Sequence, residues 1–234
     1  MWPRHLDARV QKRCNVKGPV RSNLSGTPVK TKTLEKNQSG QATELQRYGT
    51  VVNRAIALDH KVRLAGAEKL NQILADTIIL RDMYKKHHWQ VAGPTFYQLH
   101  LLFDKHYGEQ AELVDALAER VQTLGGVSIA MAHDVAETTH IARPPRGRED
   151  ATVQLFRLLE GHEIIIGEAR EAAQFAEESG DAGTNDLLVS QVLRTNEFQV
   201  WFITEQLAGT GLSDKAAEPA NELASAVRHG SDHH

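Results

Sequence analysis

The chain has 234 residues, 41% hydrophobic and 24% charged, with a formal net charge of −3 and a single cysteine, Cys14. This is enough for one domain with tails or two small ones, and a lone cysteine excludes an internal disulfide and fits a reducing compartment. No window approaches an apolar membrane span and the first residues carry no secretory h-region, so the expectation is a cytoplasmic protein without a membrane partner.

In chain order, residues 1–50 contain Pro3, Gly18, Pro19, Gly26, Pro28 and Gly40 among many Ser, Thr, Asn and Lys, without sustained apolar periodicity. This composition predicts a disordered arm. Ten Lys and Arg against three Asp and Glu give it +7, while the rest of the chain carries −10. A basic arm on an acidic body suits partners of opposite charge; the alternative is a solubilising extension. A short helix is expected over residues 51–58.

From about Gly66 the pattern turns helical. Leu70, Ile73, Leu74, Thr77, Ile78, Leu80 and Tyr84 recur at threes and fours until Gly93-Pro94. A second helix opens at Thr95, with Gln98 at capping-box spacing, and runs to Gly125-Gly126. A short helix near residues 129–137 leads to Arg143-Pro144-Pro145. A third helix is expected over residues 150–178 and a fourth over 184–207. Four helices of roughly 24 to 30 residues span about 36 to 45 Å each. No strand alternation competes, so residues 51–209 read as an all-α four-helix bundle with a short helix between helices two and three, followed by a tail over 210–234.

Five residues carry the chemistry: His88, His100, Asp104, Asp115 and Glu119. His100 and Asp104 lie four apart, as do Asp115 and Glu119, so each pair shares one helix face. Two imidazoles with three carboxylates suit a divalent metal of borderline hardness such as iron. Asp104 and Asp115, eleven residues apart, are separated by about 16 Å along the axis, whereas paired metals sit about 3.5–4 Å apart. One helix therefore cannot close both pairs around one centre. Either the chain forms two half-sites, or a second copy lies antiparallel across a two-fold axis near Glu109 and Gly108, giving two identical sites per dimer. His88, folded back by the Gly93-Pro94 turn, can add a further ligand.

The stretch His88-Trp89-Gln90-Val91-Ala92-Gly93-Pro94-Thr95-Phe96, followed by Leu99-His100, Asp104, Asp115, Ala118-Glu119-Arg120 and Leu124-Gly125-Gly126, resembles the Dps family, the ferritin-like mini-ferritins that protect DNA in starved or oxidatively stressed bacteria. Arg143-Pro144-Pro145-Arg146-Gly147, Arg194-Thr195-Asn196-Glu197 and Val200-Trp201-Phe202 extend the resemblance over roughly residues 50–208. It implies a ferritin-like fold and an inter-subunit ferroxidase centre of di-iron type, with His88, His100 and Asp104 from one subunit and Asp115 and Glu119 from its partner. It also implies a hollow dodecamer that oxidises Fe2+, commonly with hydrogen peroxide, and stores Fe3+ mineral. Both terminal extensions exceed what the family core needs.

Other signals have plainer readings. Trp89 is expected to pack first, with electron donation to an oxidising centre as a further role. Glu137 and His140 make one Glu-x-x-His spacing, but larger di-iron bundles need two, so it reads as incidental. His87, His106 and His162 read as surface or packing residues. Glu177, Glu178, Asp181 and Asp186 surround the turn between helices three and four, either as an iron entry pore, as the resemblance suggests, or as an ordinary charged turn. His229, His233 and His234 read as a disordered terminus, with weak metal binding as the alternative.

Two functions follow as expectations. The first is an iron-sequestering ferroxidase using the five residues above. The second is a nucleoid-associated protein whose arm residues Lys12, Arg13, Lys17, Arg21, Lys30, Lys32 and Lys36 bind DNA phosphates without sequence specificity, with iron storage subsidiary. The arm also has the alternatives of aiding assembly or holding a separate metal through His5, Asp7 or Cys14.

Overall fold

The computed structural model describes residues 44–208, and every regular element among them is helical. Helix α1 spans His60–Gln90, α2 Phe96–Thr123, α3 Ala132–Thr138 and α4 Ala151–Glu178. The last rod is compound: α5 (Ala182–Leu187), a π-helical stretch (Leu188–Leu193) and α6 (Arg194–Leu207). Helix α1 packs on α2 and α4, and α4 packs on the compound rod, which is the four-helix bundle that the apolar periodicity predicts. None of these helices is long and apolar enough to cross a membrane.

The core is the inward face of each rod. Leu70, Ile73, Leu74, Leu80 and Tyr84 from α1 meet Leu99, Phe103 and Leu117 from α2, Leu158 and Ile165 from α4, and Leu188 from the π stretch. Burying each such side chain contributes about 1.5–3 kcal/mol of transfer free energy. Helix starts are set by Asp59, which accepts from Lys61 N at 2.7 Å, and Asp150, which accepts from Thr152 N at 2.9 Å; both satisfy first-turn amides that have no partner in the helix.

Three local expectations are corrected. Residues 51–58 are not helical: Ala57 has φ +55°, and Val52 N donates to Gly125 O at 2.8 Å, so the strap is bonded to the end of α2 instead. Buried Arg63 reinforces that seal by donating to Val52 O and Leu124 O. Gly125, at φ +89°, is required there, because a Cβ would sit 2.4 Å from Val52 O. Secondly, α1 begins at His60 and continues through Gly66, where an added Cβ would lie 3.2 Å from Leu124 Cδ1; the missing side chain admits α2. Thirdly, no capping box forms. Thr95 makes no side-chain cap, and the Gly93 turn, at φ +104°, supplies the first bond through Phe96 N→Gly93 O.

Candidate metal centre

Because the Gly93 turn folds α2 back along α1, the last turn of one lies beside the first turn of the other. His88 and His100 meet there, with ring centroids 3.7 Å apart and planes 20° from parallel. Each Nδ1 lies on the other residue's main-chain carbonyl, at 2.7 Å for His88 on His100 O and 2.9 Å for the reverse. Only a protonated Nδ1 donates to a carbonyl, so in the neutral rings both lone pairs sit on Nε2. A metal-binding imidazole is oriented in this way, through its other N–H.

Asp104 lies one turn beyond His100 and is exposed. Lys85 Nζ donates to its Oδ1 at 2.5 Å and stands 4.0 Å above the Tyr107 ring. That hydrogen bond, helped by the Lys85 charge and by His88 and His100, holds the Asp104 carboxyl below the usual range. Its oxygens are therefore anionic at neutral pH. Sequence reasoning did not single out Lys85, because an ordinary helix lysine carries no signal of its pairing across to α2.

The other two expected ligands stay apart. Asp115 and Glu119 are exposed, and neither carboxylate pairs with any described residue. They lie on one stripe of α2 with Tyr97, Leu101, Asp104, Gly108 and Glu112, all exposed, at spacings of three and four that keep a single helix face. The single chain thus brings His88, His100 and Asp104 together and leaves Asp115 and Glu119 further along the same stripe. An apolar border surrounds the histidine end: Trp89 is 71% and Tyr97 68% exposed, with Phe96 and Leu101 also open. Trp89, expected to pack, is among the most exposed aromatics of the described residues. A cleft of about 460 Å³ between α2 and the compound rod, lined by Glu109, Glu112, Arg194 and Phe198 among others, contains none of the five.

The remaining histidines divide sharply. His87, His106 and His162 are completely buried, and burial pushes each pKa down to about 3. His106 Nδ1 donates to Tyr84 OH at 3.1 Å, and Tyr84 OH donates to His162 Nε2 at 2.5 Å. His162 Nδ1 in turn donates to Asn196 Oδ1 at 2.8 Å. Gln110 Nε2 joins Asn196 and Gln199 to this chain. It is a neutral polar network inside the bundle, and its members are packing residues.

Asp181 cannot line a pore. It is buried against Arg120, at 2.5 Å, and accepts from Thr184, leaving Glu177, Glu178 and Asp186 exposed at that turn. His140 does not meet Glu137; its Nδ1 lies 2.7 Å from Glu168 Oε1, on α4. Burial and the neighbouring Asp76 push the Glu168 carboxyl up to about 7. The expected arm ligands His5, Asp7 and Cys14, the basic residues from Lys12 to Lys36, and the tail histidines lie outside the described residues.

Comparison with known proteins agrees with this architecture. Residues 67–212 match the ferritin-like domain. The chain is similar to DpsC from Streptomyces coelicolor, 55% identical with a TM-score of 0.70, covering 71% of this chain and 96% of that one. A nutrient stress-induced DNA-binding protein of a Nostoc species is 33% identical over 178 residues, covering 76% of this chain and 96% of that protein. The Dps protein of Vibrio cholerae, described as a member of a broad superfamily of ferritin-like diiron-carboxylate proteins, is 26% identical with a TM-score of 0.63, covering 69% and 99% respectively.

Proposed function

The chain belongs to the Dps family of ferritin-like proteins, and on that footing we propose that it is a ferroxidase that stores iron. Fe(II) is the substrate, bound where His88, His100 and Asp104 of one subunit face Asp115 and Glu119 of a second copy lying antiparallel along α2. The observation that carries this reading is the reciprocal His88–His100 clamp, which leaves two Nε2 lone pairs beside an anionic Asp104 on an exposed face. The unpartnered Asp115 and Glu119, too remote to join it within one chain, give that face its complement.

In this reading the protein's residues act in three ways. The imidazoles of His88 and His100 are already oriented by their main-chain bonds and take up ferrous ions with little distortion, while the three carboxylates supply anionic oxygens. The carboxylates favour the more highly charged ferric product. Holding two ions together lets both electrons reach one oxidant: two Fe(II) and one hydrogen peroxide, with two protons, give two Fe(III) and two waters. One-electron cleavage to hydroxyl radical is thereby avoided, which is how such a protein spares DNA. A closed shell built from these dimers, a dodecamer in the family pattern, would retain the ferric mineral in the cytoplasm.

The test is rapid mixing of Fe(II) and peroxide with the full chain and with His100→Ala/Asp104→Ala. The double variant keeps its helicity and assembly, and its oxidation rate falls to the level of free iron. An unchanged rate refutes the assignment.

A second reading, nucleoid association as the main role, is favoured by the +7 charge of the first fifty residues and by the DNA-binding description of the Nostoc relative. Contacts to phosphate alone make binding sequence-independent and steeply salt-dependent. A gel-shift comparison of the full chain with one lacking residues 1–50 decides it: equal retention of DNA removes the arm from the account.

A further inference from the structure

The geometry points to a second metal site, formed by Asp76, His140 and Glu168 and suited to a divalent first-row transition cation of the zinc class. Asp76 comes from α1, His140 from the segment after α3, and Glu168 from α4. One ligand atom from each lies within 4.8 Å of the others, with His140 Nδ1 and Glu168 Oε1 already 2.7 Å apart.

Two features separate this group from an ordinary polar cluster. Glu168 Oε2 is fully shielded from solvent and accepts from no N–H or hydroxyl group; its carboxyl faces that of Asp76, with which it can share a proton. Two carboxylates therefore converge where, among the described residues, no Lys or Arg pairs with either. A shielded carboxylate oxygen without a donor is unfavourable unless a proton or a cation sits against it.

The carboxylate of Asp76 is also oriented in advance. Its Oδ1 accepts from Thr139 Oγ1, His140 N and Ile141 N, at 2.5, 2.7 and 3.2 Å. Its Oδ2 accepts from Gln72 Nε2, at 2.7 Å. One oxygen anchors the connection, while the other takes a single amide donor. Such outer hydrogen bonds are what hold metal-ligating carboxylates in place.

The donor set selects the class of ion. One imidazole and two carboxylates with an open outer side match zinc, ferrous iron, cobalt or manganese, and zinc sites with three protein ligands keep a water in the fourth position. Calcium and magnesium favour all-oxygen shells. Bond lengths of about 2.0–2.2 Å place ligand atoms about 3.3 Å apart, so on binding the His140–Glu168 hydrogen bond, now 2.7 Å, opens to admit the ion. His140 is exposed and lies on a connection, and its ring is the member free to shift. The ion would then pin that connection to α1 and α4, a role that uses none of the five residues on the α2 stripe.

Cobalt(II) is the probe, because its visible bands report protein coordination. It is titrated into assembled full-length protein already carrying His100→Ala/Asp104→Ala, which separates this site from the proposed ferroxidase centre. The expected result is one tight equivalent per chain, displaced by zinc, with zinc raising the melting temperature. Adding His140→Ala removes the bands and the thermal shift, a loss of affinity of roughly 100-fold or more. Glu168→Gln, which keeps the side-chain shape, has the same effect; if it disturbs folding, the exposed His140→Ala decides alone. No tight equivalent in the background protein, or one that survives His140→Ala, overturns the site.

Discussion

Helices α1 and α2 set imidazoles in two environments within one or two turns of each other. His88 and His100 stand half-buried at the surface, their Nδ1 atoms tied to main-chain carbonyls and their Nε2 atoms left open. His87 and His106 face the interior, where burial holds them neutral down to about pH 3. The side chain is the same in both settings. What differs is whether a second element covers the face, and that decides between ligand and packing group.

The strongest way to break this contrast is subunit mixing. His100→Ala/Asp104→Ala and Asp115→Asn/Glu119→Gln should each be inactive alone as ferroxidases. Co-assembled in equal amounts they should regain about one quarter of the native sites, because half the dimers are mixed and each mixed dimer rebuilds one of its two centres. Peroxide-driven iron oxidation reads this directly, and a mixture as inactive as its parents removes the shared centre.

Next in size is a pair of adjacent residues on α2. Phe103→Ala empties a wholly buried position and should lower stability by about 3–5 kcal/mol. Asp104→Ala, on the open stripe, should change it by no more than about 0.5 kcal/mol. Chemical denaturation measures both, and comparable losses would mean that the stripe is structural.

The interior imidazoles also predict a pH dependence. Burial lowers His162 to about 3, opposed by its bond to Asn196, whereas an unfolded histidine titrates near 6.5. Between those values the unfolded chain binds the extra proton. Stability is therefore present above about pH 6.5 and lost as pH falls toward 3, at up to about 1.4 kcal/mol per pH unit for each such group. Denaturant midpoints from pH 7 to 4 should fall accordingly, and His162→Gln should flatten the slope; an unaltered slope rules out this origin.

The smallest effect concerns Lys85. Replacing it with Met frees Asp104 from its ammonium partner, so divalent cations should bind the half-site a few-fold more tightly at pH 7, while stability barely moves because the Asp104 end of the pair is open to solvent. Isothermal titration checks the sign, and weaker binding would give Lys85 a supporting role.

The bundle was legible because apolar residues at threes and fours have only one regular solution, and Gly93-Pro94, Gly125-Gly126 and Ser179-Gly180 interrupt them. Helix ends were less so. Val52 is bonded to the end of α2, and Gly66 stays helical because Leu124 approaches it; both outcomes depend on residues more than fifty positions away. The five-residue stripe was visible because its members recur on one helix face. The Asp76–His140–Glu168 group was not, since separations of 64 and 28 residues carry no period. Asp181 misled because an acid beside a turn looks solvated until Arg120 is found against it.

By itself the sequence determined the four long rods, the faces they present and the kinds of donor atom available, since local periodicity and side-chain chemistry are properties of the chain. The tertiary structure alone decided which histidines are sealed, which carboxylates are neutralised and which converge. Burial and charge pairing depend on what packs opposite a residue, and no helical repeat encodes that.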